Sequence, residues 1–299
     1  MDPWNVAKAE DFFRGMGMKI VTGSWYLGVF VGDRAAKDSW LTEKVQEWTE
    51  LVSILAGVSH KHPQSAYAGL QKSLQQEWAF VQRVTPGVGE ALVPVEEALQ
   101  EIFVPALFRG LSEGLLKRNN TRLPMNQVGL DLPDPVQTPP ENWTASFVIT
   151  GHLVTALRGK VVFQTANHSV YLWGGRLAVW HRGEKRAEEA LTAALEGAPV
   201  MQARRMRRAA KTGAWLTVLP STVNGKELGD QEWRDALFLR YGLDPPDLHT
   251  HCDECEARFT ISHALDCKKG GLVTACHNEL RDRVTDLAGK AFTTSHGAT

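Results

Sequence analysis

The spacing Cys252-x2-Cys255-x7-His263-x3-Cys267 constrains this chain more than any other feature, because three of its four cysteines fall within sixteen positions. Small secreted domains spread their cysteines through the chain as a disulfide framework; three thiols this close, with a histidine between them, favour a metal over bridges. A Cys-x2-Cys pair supplies two thiolates from one tight turn. His-x3-Cys sets two further donors one helical turn apart on a common face, provided that a helix begins near Ser262. Four protein donors fill a tetrahedral Zn²⁺ shell and leave no position open for water, so the expected site is structural and not hydrolytic. Cys252, Cys255, His263 and Cys267 are therefore the candidate metal ligands, with three unrelated thiols and a surface histidine as the alternative. His249, His251 and His277 lie close enough in sequence to compete and are assigned to solvent or to supporting roles. Cys276 reads as a small buried hydrophobe on a helix over 275–289.

Periodicity organises the rest. Residues 18–32 read as two short strands about a Thr22-Gly23-Ser24 turn. Apolar residues recur at helical spacing over 40–55, with Asp38 or Ser39 as N-cap, over 67–81, and over 92–107, where Pro105 limits or kinks the helix. Pro124, Pro133, Pro135, Pro139 and Pro140 rule out regular structure over most of 123–142, which reads as a linker. Beyond it, 147–157 and 184–195 look helical, 215–223 resembles a strand and turn, and a helix from Asp230 ends at Gly242 and Pro245-Pro246. The expected fold class is mainly α with a small β-hairpin. The expected regions are a hairpin at 1–34, a helical module at 35–118, the Pro-rich linker at 119–145, a helical region at 146–214 and a C-terminal metal module at 215–299.

Thirty-three Lys+Arg against thirty-four Asp+Glu give a formal charge of −1, so any nucleic-acid surface must be local. One segment fits: Arg204, Arg205, Arg207, Arg208 and Lys211 place five cations and no acid in eight residues. On a helix they spread around most of the circumference and suit phosphate contacts, the alternatives being a solvated helix or a nuclear-targeting stretch. The tryptophans at 40, 48, 78 and 233 sit on apolar stripes and read as core. No phosphate-binding loop, nucleophile elbow, His-Glu-x-x-His pair or Asp-Asp dipeptide occurs, so no catalytic residues and no Mg²⁺ site are expected. No apolar run of membrane-spanning length and no signal-peptide pattern appears, so a soluble, non-secreted protein is expected.

The block from Val21 to Asp33, with Trp25, Tyr26, Leu27 and Gly28 at its centre, resembles the Tyr-Leu-Gly hairpin that follows the catalytic palm in reverse transcriptases of non-long-terminal-repeat retrotransposons. The helices that follow, including Ala66 to Trp78, are similar to the thumb of such enzymes. Trp215-Leu216 with Pro220 and Asn224-Gly225, Phe238 to Gly242, the Cys/Cys/His/Cys set and His277 to Asp282 look like their C-terminal region. The resemblance implies a primer-gripping hairpin at Trp25 to Gly28, a thumb, and a zinc knuckle that handles nucleic acid. The chain departs from the family in lacking the Tyr/Phe-x-Asp-Asp motif, and Cys276 stands where such elements often carry a basic residue before His-Asn. The expectation is thus a post-catalytic portion that binds RNA or DNA and takes no small-molecule substrate, nuclear or cytoplasmic. The alternatives are the tail of a full-length active RNA-directed DNA polymerase and a zinc-stabilised protein-interaction module.

Overall fold

A computed structural model describes residues 3–18, 20–26, 28–110, 118–269 and 272–293. It is mainly helical with a single two-stranded sheet among the described residues, and it divides into two compact units at Gly242/Leu243.

The first unit opens with α1 (Pro3–Arg14) and an antiparallel hairpin of β1 (Gly23–Tyr26) and β2 (Val29–Gly32). Tyr26 pairs with Val29, so the strands are joined beyond Tyr26, with Gly28 in the turn, and not at Thr22 to Ser24, which run into the first strand. Gly28 has φ +81°, a conformation that costs glycine no Cβ clash. Helix α2 (Arg34–Ser59) starts earlier than the apolar stripe suggests, because Asp33, and not Asp38 or Ser39, caps it by accepting the Ala36 amide at 2.8 Å. Its buried stripe of Leu41, Val45, Trp48, Val52 and Ala56 faces the core.

Helix α3 (Pro63–Gly69) passes through a π-type turn at Leu70–Leu74 into α4 (Gln75–Val84), and Thr85-Pro86-Gly87 ends the run. A 3-10 turn at Glu90–Leu92 leads to α5 (Val93–Ala98), a second π turn at Leu99–Phe103 and α6 (Val104–Leu107). Pro105 lies in this last short piece, as its missing N–H requires. Trp48 packs edge-on to Trp78 at 6.2 Å while its indole N–H donates to Glu77 at 3.0 Å. Trp48 and Trp78 are thus core, like Trp233, while Trp40 stacks on Phe30 of the hairpin.

The segment after α7 (Arg118–Arg122) overturns the linker expectation. Prolines keep 123–138 irregular apart from one 3-10 turn at Met125–Gln127, yet Leu123, Val128, Leu130 and Leu132 are buried. The segment is a strap across α3 and α4, and side chains from those helices satisfy its carbonyls. Tyr67 donates to Leu130 O at 2.7 Å, Gln75 to Asp131 O at 3.2 Å and Gln82 to Pro135 O at 2.9 Å. Gly129 is obligatory here, since a Cβ would lie 1.6 Å from Leu123 O.

Helices α8 (Pro139–Leu157) and α9 (Thr165–Glu196) form an antiparallel pair, tied by a Glu141–Arg186 ion pair at one end and His152 stacked on Tyr171 at the other. Both are longer than their periodic segments. Next come α10 (Val200–Ala209) and a 3-10 turn at Gly213–Thr217 where a strand was expected. Helix α11 (Asp230–Arg240) starts where Glu232, in its first turn, reaches back to accept the Gly229 amide at 2.8 Å. Residues 213–242 belong to the helical unit, not to the metal module. Trp233 packs against Tyr67 at 5.8 Å, and buried Arg234 donates to the Ser59 and His60 carbonyls at the end of α2. Desolvation lowers the pKa values of Arg234 and Arg240, and burial raises that of Tyr67.

The second unit holds α12 (Ile261–Asp266) and α13 (Leu272–Thr293) behind a short irregular hairpin at 250–259. No described helix is long and apolar enough to cross a membrane.

Candidate metal centre

The second unit builds its site from a tight hairpin and one turn of helix. The Phe259 amide donates to Thr250 O at 2.9 Å and the Cys252 amide to Ala257 O at 2.9 Å, while Glu256 takes φ +60° to close the loop. This brings Cys252 and Cys255 to one side of the turn. Thr260 caps α12 by accepting the His263 amide at 3.0 Å, and Cys267 ends the same helix with its amide on His263 O at 2.8 Å. His263 and Cys267 therefore face the hairpin from one helical turn, as their spacing predicts.

The donor atoms of Cys252, Cys255, His263 and Cys267 all lie within 4.8 Å of one another. The Cys252 and Cys267 sulfurs are 3.8 Å apart, those of Cys255 and Cys267 3.9 Å, and Cys255 Sγ is 3.2 Å from His263 Nε2. Metal–sulfur bonds of about 2.3 Å at tetrahedral angles give a sulfur–sulfur edge of about 3.8 Å. A disulfide would need about 2.05 Å. The four donors thus form a cluster that can hold a metal ion, with Cys252 and Cys267 buried and Cys255 and His263 half-buried.

Electrostatics within the cluster are uneven. Backbone amides of Glu254 and then Cys255 point at the Cys252 sulfur and lower its pKa. The Ala257 amide favours the Cys255 thiolate in the same way, but desolvation and the Cys252 and Cys267 thiols outweigh it and raise that pKa. Without a cation, one thiolate forms first and opposes the next; a bound metal removes that conflict by stabilising all of them.

The competing residues stay outside the cluster. His249, His251 and His277 are exposed, and His251 meets only the Thr250 hydroxyl, at 3.1 Å. Cys276 is exposed and not buried: no described residue covers its face of α13.

The basic run lies on α10 in the first unit. Its cations do not encircle the helix. Arg204, Arg207 and Arg208, related by i, i+3 and i+4, share one exposed side, opposite buried Ala203 and Met206. Arg205 turns instead to Gly242 O at 3.3 Å, and exposed Lys211 follows the helix end with φ +67°. In the β-hairpin, Tyr26 is exposed, Trp25 leans on Trp40 at 5.3 Å, Gly28 forms the turn, and Leu27 lies outside the described residues.

Comparison with family models, curated proteins and solved structures finds no match to this chain. The inward amides of Glu254, Cys255 and Ala257 are the part of the site that side-chain spacing does not signal.

Proposed function

We propose that this chain is a zinc-stabilised, nucleic-acid-binding portion of a reverse transcriptase of the non-long-terminal-repeat retrotransposon type, and that it positions RNA or DNA without polymerising it. The observation that carries the reading is the closed donor set. Three sulfurs and one imidazole within 4.8 Å of one another, two of the sulfur–sulfur distances matching a tetrahedral edge, suit Zn²⁺, and four protein ligands make its role structural. When bound, zinc supplies the cross-link that fixes the hairpin to α12. Arg204, Arg207 and Arg208 on the open side of α10, followed by Lys211, serve as the phosphate contacts, since α10 carries no carboxylate to compete. Trp25, Tyr26 and Gly28 take the primer-grip role through the resemblance of the hairpin, and the absence of an Asp-Asp pair supports a non-catalytic role.

Two measurements test the reading. Reduced protein should carry one equivalent of zinc per chain. Its affinity for nucleic acid should be measurable at low salt and fall steeply as salt is added; a flat response, or no binding at low salt, overturns the nucleic-acid part. A second reading, a zinc-stabilised protein-interaction module, is favoured by Leu280, Val284 and Leu287, exposed at i, i+4 and i+7 along α13. It predicts stoichiometric zinc without salt-sensitive nucleic-acid binding.

A further inference from the structure

Helix α9 is apolar on two opposite faces, and α8 covers only one. Gly175 meets Ile149 of α8 so closely that a Cβ would sit 2.6 Å from it, whereas Trp173 is 72 % exposed and Trp180 57 % exposed on the far side. Two exposed indoles on one side of a helix are a larger apolar area than a lone surface residue presents, so the open side has an occupant to find.

That side continues into a cleft. Trp173, Arg176, Trp180, Gly183, Ala187 and Ala190 step by three or four residues and lie along one line of α9. From Trp180 onward this line is one wall of a cleft of about 1000 Å³, and α7 with the 123–138 strap is the other. The strap contributes three amide side chains, Asn126, Gln127 and Gln137, and α7 adds Asn120. Gln127 Oε1 is buried there with no hydrogen-bond partner. Of the cleft carboxylates, Asp134 pairs with Arg122 at 2.9 Å and Asp131 accepts Gln71 at 3.1 Å, while Glu184 on α9 is exposed. Toward Trp173 the α9 line carries cations, since Arg176 and Arg182 are exposed and 165–183 contain no Asp or Glu; the acids of α9 begin at Glu184.

We propose that this cleft receives the unpaired bases of a single-stranded nucleic acid, which stack on Trp173 and Trp180 at its mouth and meet the strap amides inside. The occupant follows from the chemistry. Indole faces take any base, and two of them seven residues apart stand about 10 Å apart along the helix. Amide side chains carry both a donor and an acceptor and match base edges, and an acceptor left alone in the wall needs a donor such as an exocyclic amine. Uncharged bases enter a cleft whose own carboxylates would repel phosphate. The phosphodiester stays outside, beside Arg176 and Arg182.

The inference deepens the nucleic-acid reading above and rests on it, but on a different surface from α10. The test uses the full zinc-loaded chain, fluorescence anisotropy with labelled homopolymeric DNA and RNA oligonucleotides, and a DNA duplex of equal length. The double variant Trp173→Ala/Trp180→Ala should weaken single-strand binding by roughly tenfold or more and leave duplex binding unchanged. Both indoles are exposed, so the fold does not depend on them. The variant Arg204→Ser/Arg207→Ser/Arg208→Ser should weaken both ligands.

If the tryptophan variant binds single strands as the parent does while the arginine variant fails, the cleft proposal is overturned and the α10 reading stands. If the parent chain binds neither ligand at low salt, the nucleic-acid reading falls and takes the cleft with it. Loss of self-association in light scattering, or of binding to phosphatidylserine vesicles, with single-strand affinity unmoved in the tryptophan variant, also overturns the proposal and reassigns the face. Gln127→Leu is the second variant: it should reduce the difference in affinity among the homopolymers, and an unaltered ranking counts against base-edge contacts.

Discussion

Cys267 joins both halves of the metal cluster, lying 3.8 Å from the Cys252 sulfur and 3.9 Å from that of Cys255 at the end of the helix that bears His263. Cys267→Ser should therefore lose zinc and the ordered structure of 243–293 together, as metal analysis and far-UV circular dichroism will show; full stoichiometric zinc in this variant means that other ligands hold it. Cys276→Ser, by contrast, should keep one zinc per chain. Acid should act in the same direction as Cys267→Ser. Metal-bound thiolates have pKa values far below those of free thiols, so the stabilisation is present near neutral pH and is lost as pH falls and protons displace the metal. Zinc release to a chromogenic chelator along a descending pH series checks this, and release that rises with pH contradicts it. The cluster of four donors was legible because donor type and spacing are properties of the sequence. The amides of Glu254, Cys255 and Ala257 that favour thiolate were not, since only the folded turn aims them. The state of Cys276 was not legible either: periodicity marks an apolar face but says nothing of whether another element packs on it.

At the scale of elements, the 123–138 strap separates two properties that composition alone runs together, irregular backbone and exposure. Prolines correctly exclude helix and strand there, and it is a separate step to conclude that such a segment is an exposed linker. The deciding signal is in the partner helices, where Gln71, Gln75 and Gln82 recur on the face of the α3–α4 run that also buries Trp78. Amide side chains in a core position announce a backbone without secondary structure nearby, because buried carbonyls must find donors. Tyr67→Phe removes the donor to Leu130 O and leaves a buried carbonyl unpaired, which should cost about 1–3 kcal/mol in chemical denaturation. Leu130→Ala, at a fully buried position, should cost about 2–5 kcal/mol. If both variants keep the parent's denaturation midpoint, the strap is not part of the core. Helix lengths were underestimated for a related reason. Caps such as Asp33 lie several residues outside the apolar stripe, so the stripe of α2 shows which side is buried without showing where the helix starts.

At the scale of the whole molecule, a net charge of −1 conceals a strong separation of charge. Within 142–183 and along α10 the sequence has cations and no acids, and the compensating carboxylates lie elsewhere. Long-range steering by the molecule's total charge is consequently weak, and affinity for a polyanion must come from contacts within a Debye length of these patches. This sets a quantitative expectation. Each phosphate neutralised on duplex DNA contributes about −0.9 to the slope of log K against log salt, so three arginines on one side of α10 account for a slope near −3. Arg204→Ser/Arg207→Ser/Arg208→Ser should flatten the duplex slope by about that amount, whereas Arg205→Ser should leave it nearly unchanged, since Arg205 is turned to the Gly242 carbonyl. Titrations between 50 and 200 mM salt separate the cases. If Arg205→Ser changes the slope as much as each of the other three, the cations act as a diffuse cloud and the orientation of α10 does not matter. A slope that survives the triple variant places the phosphate contacts on a different surface.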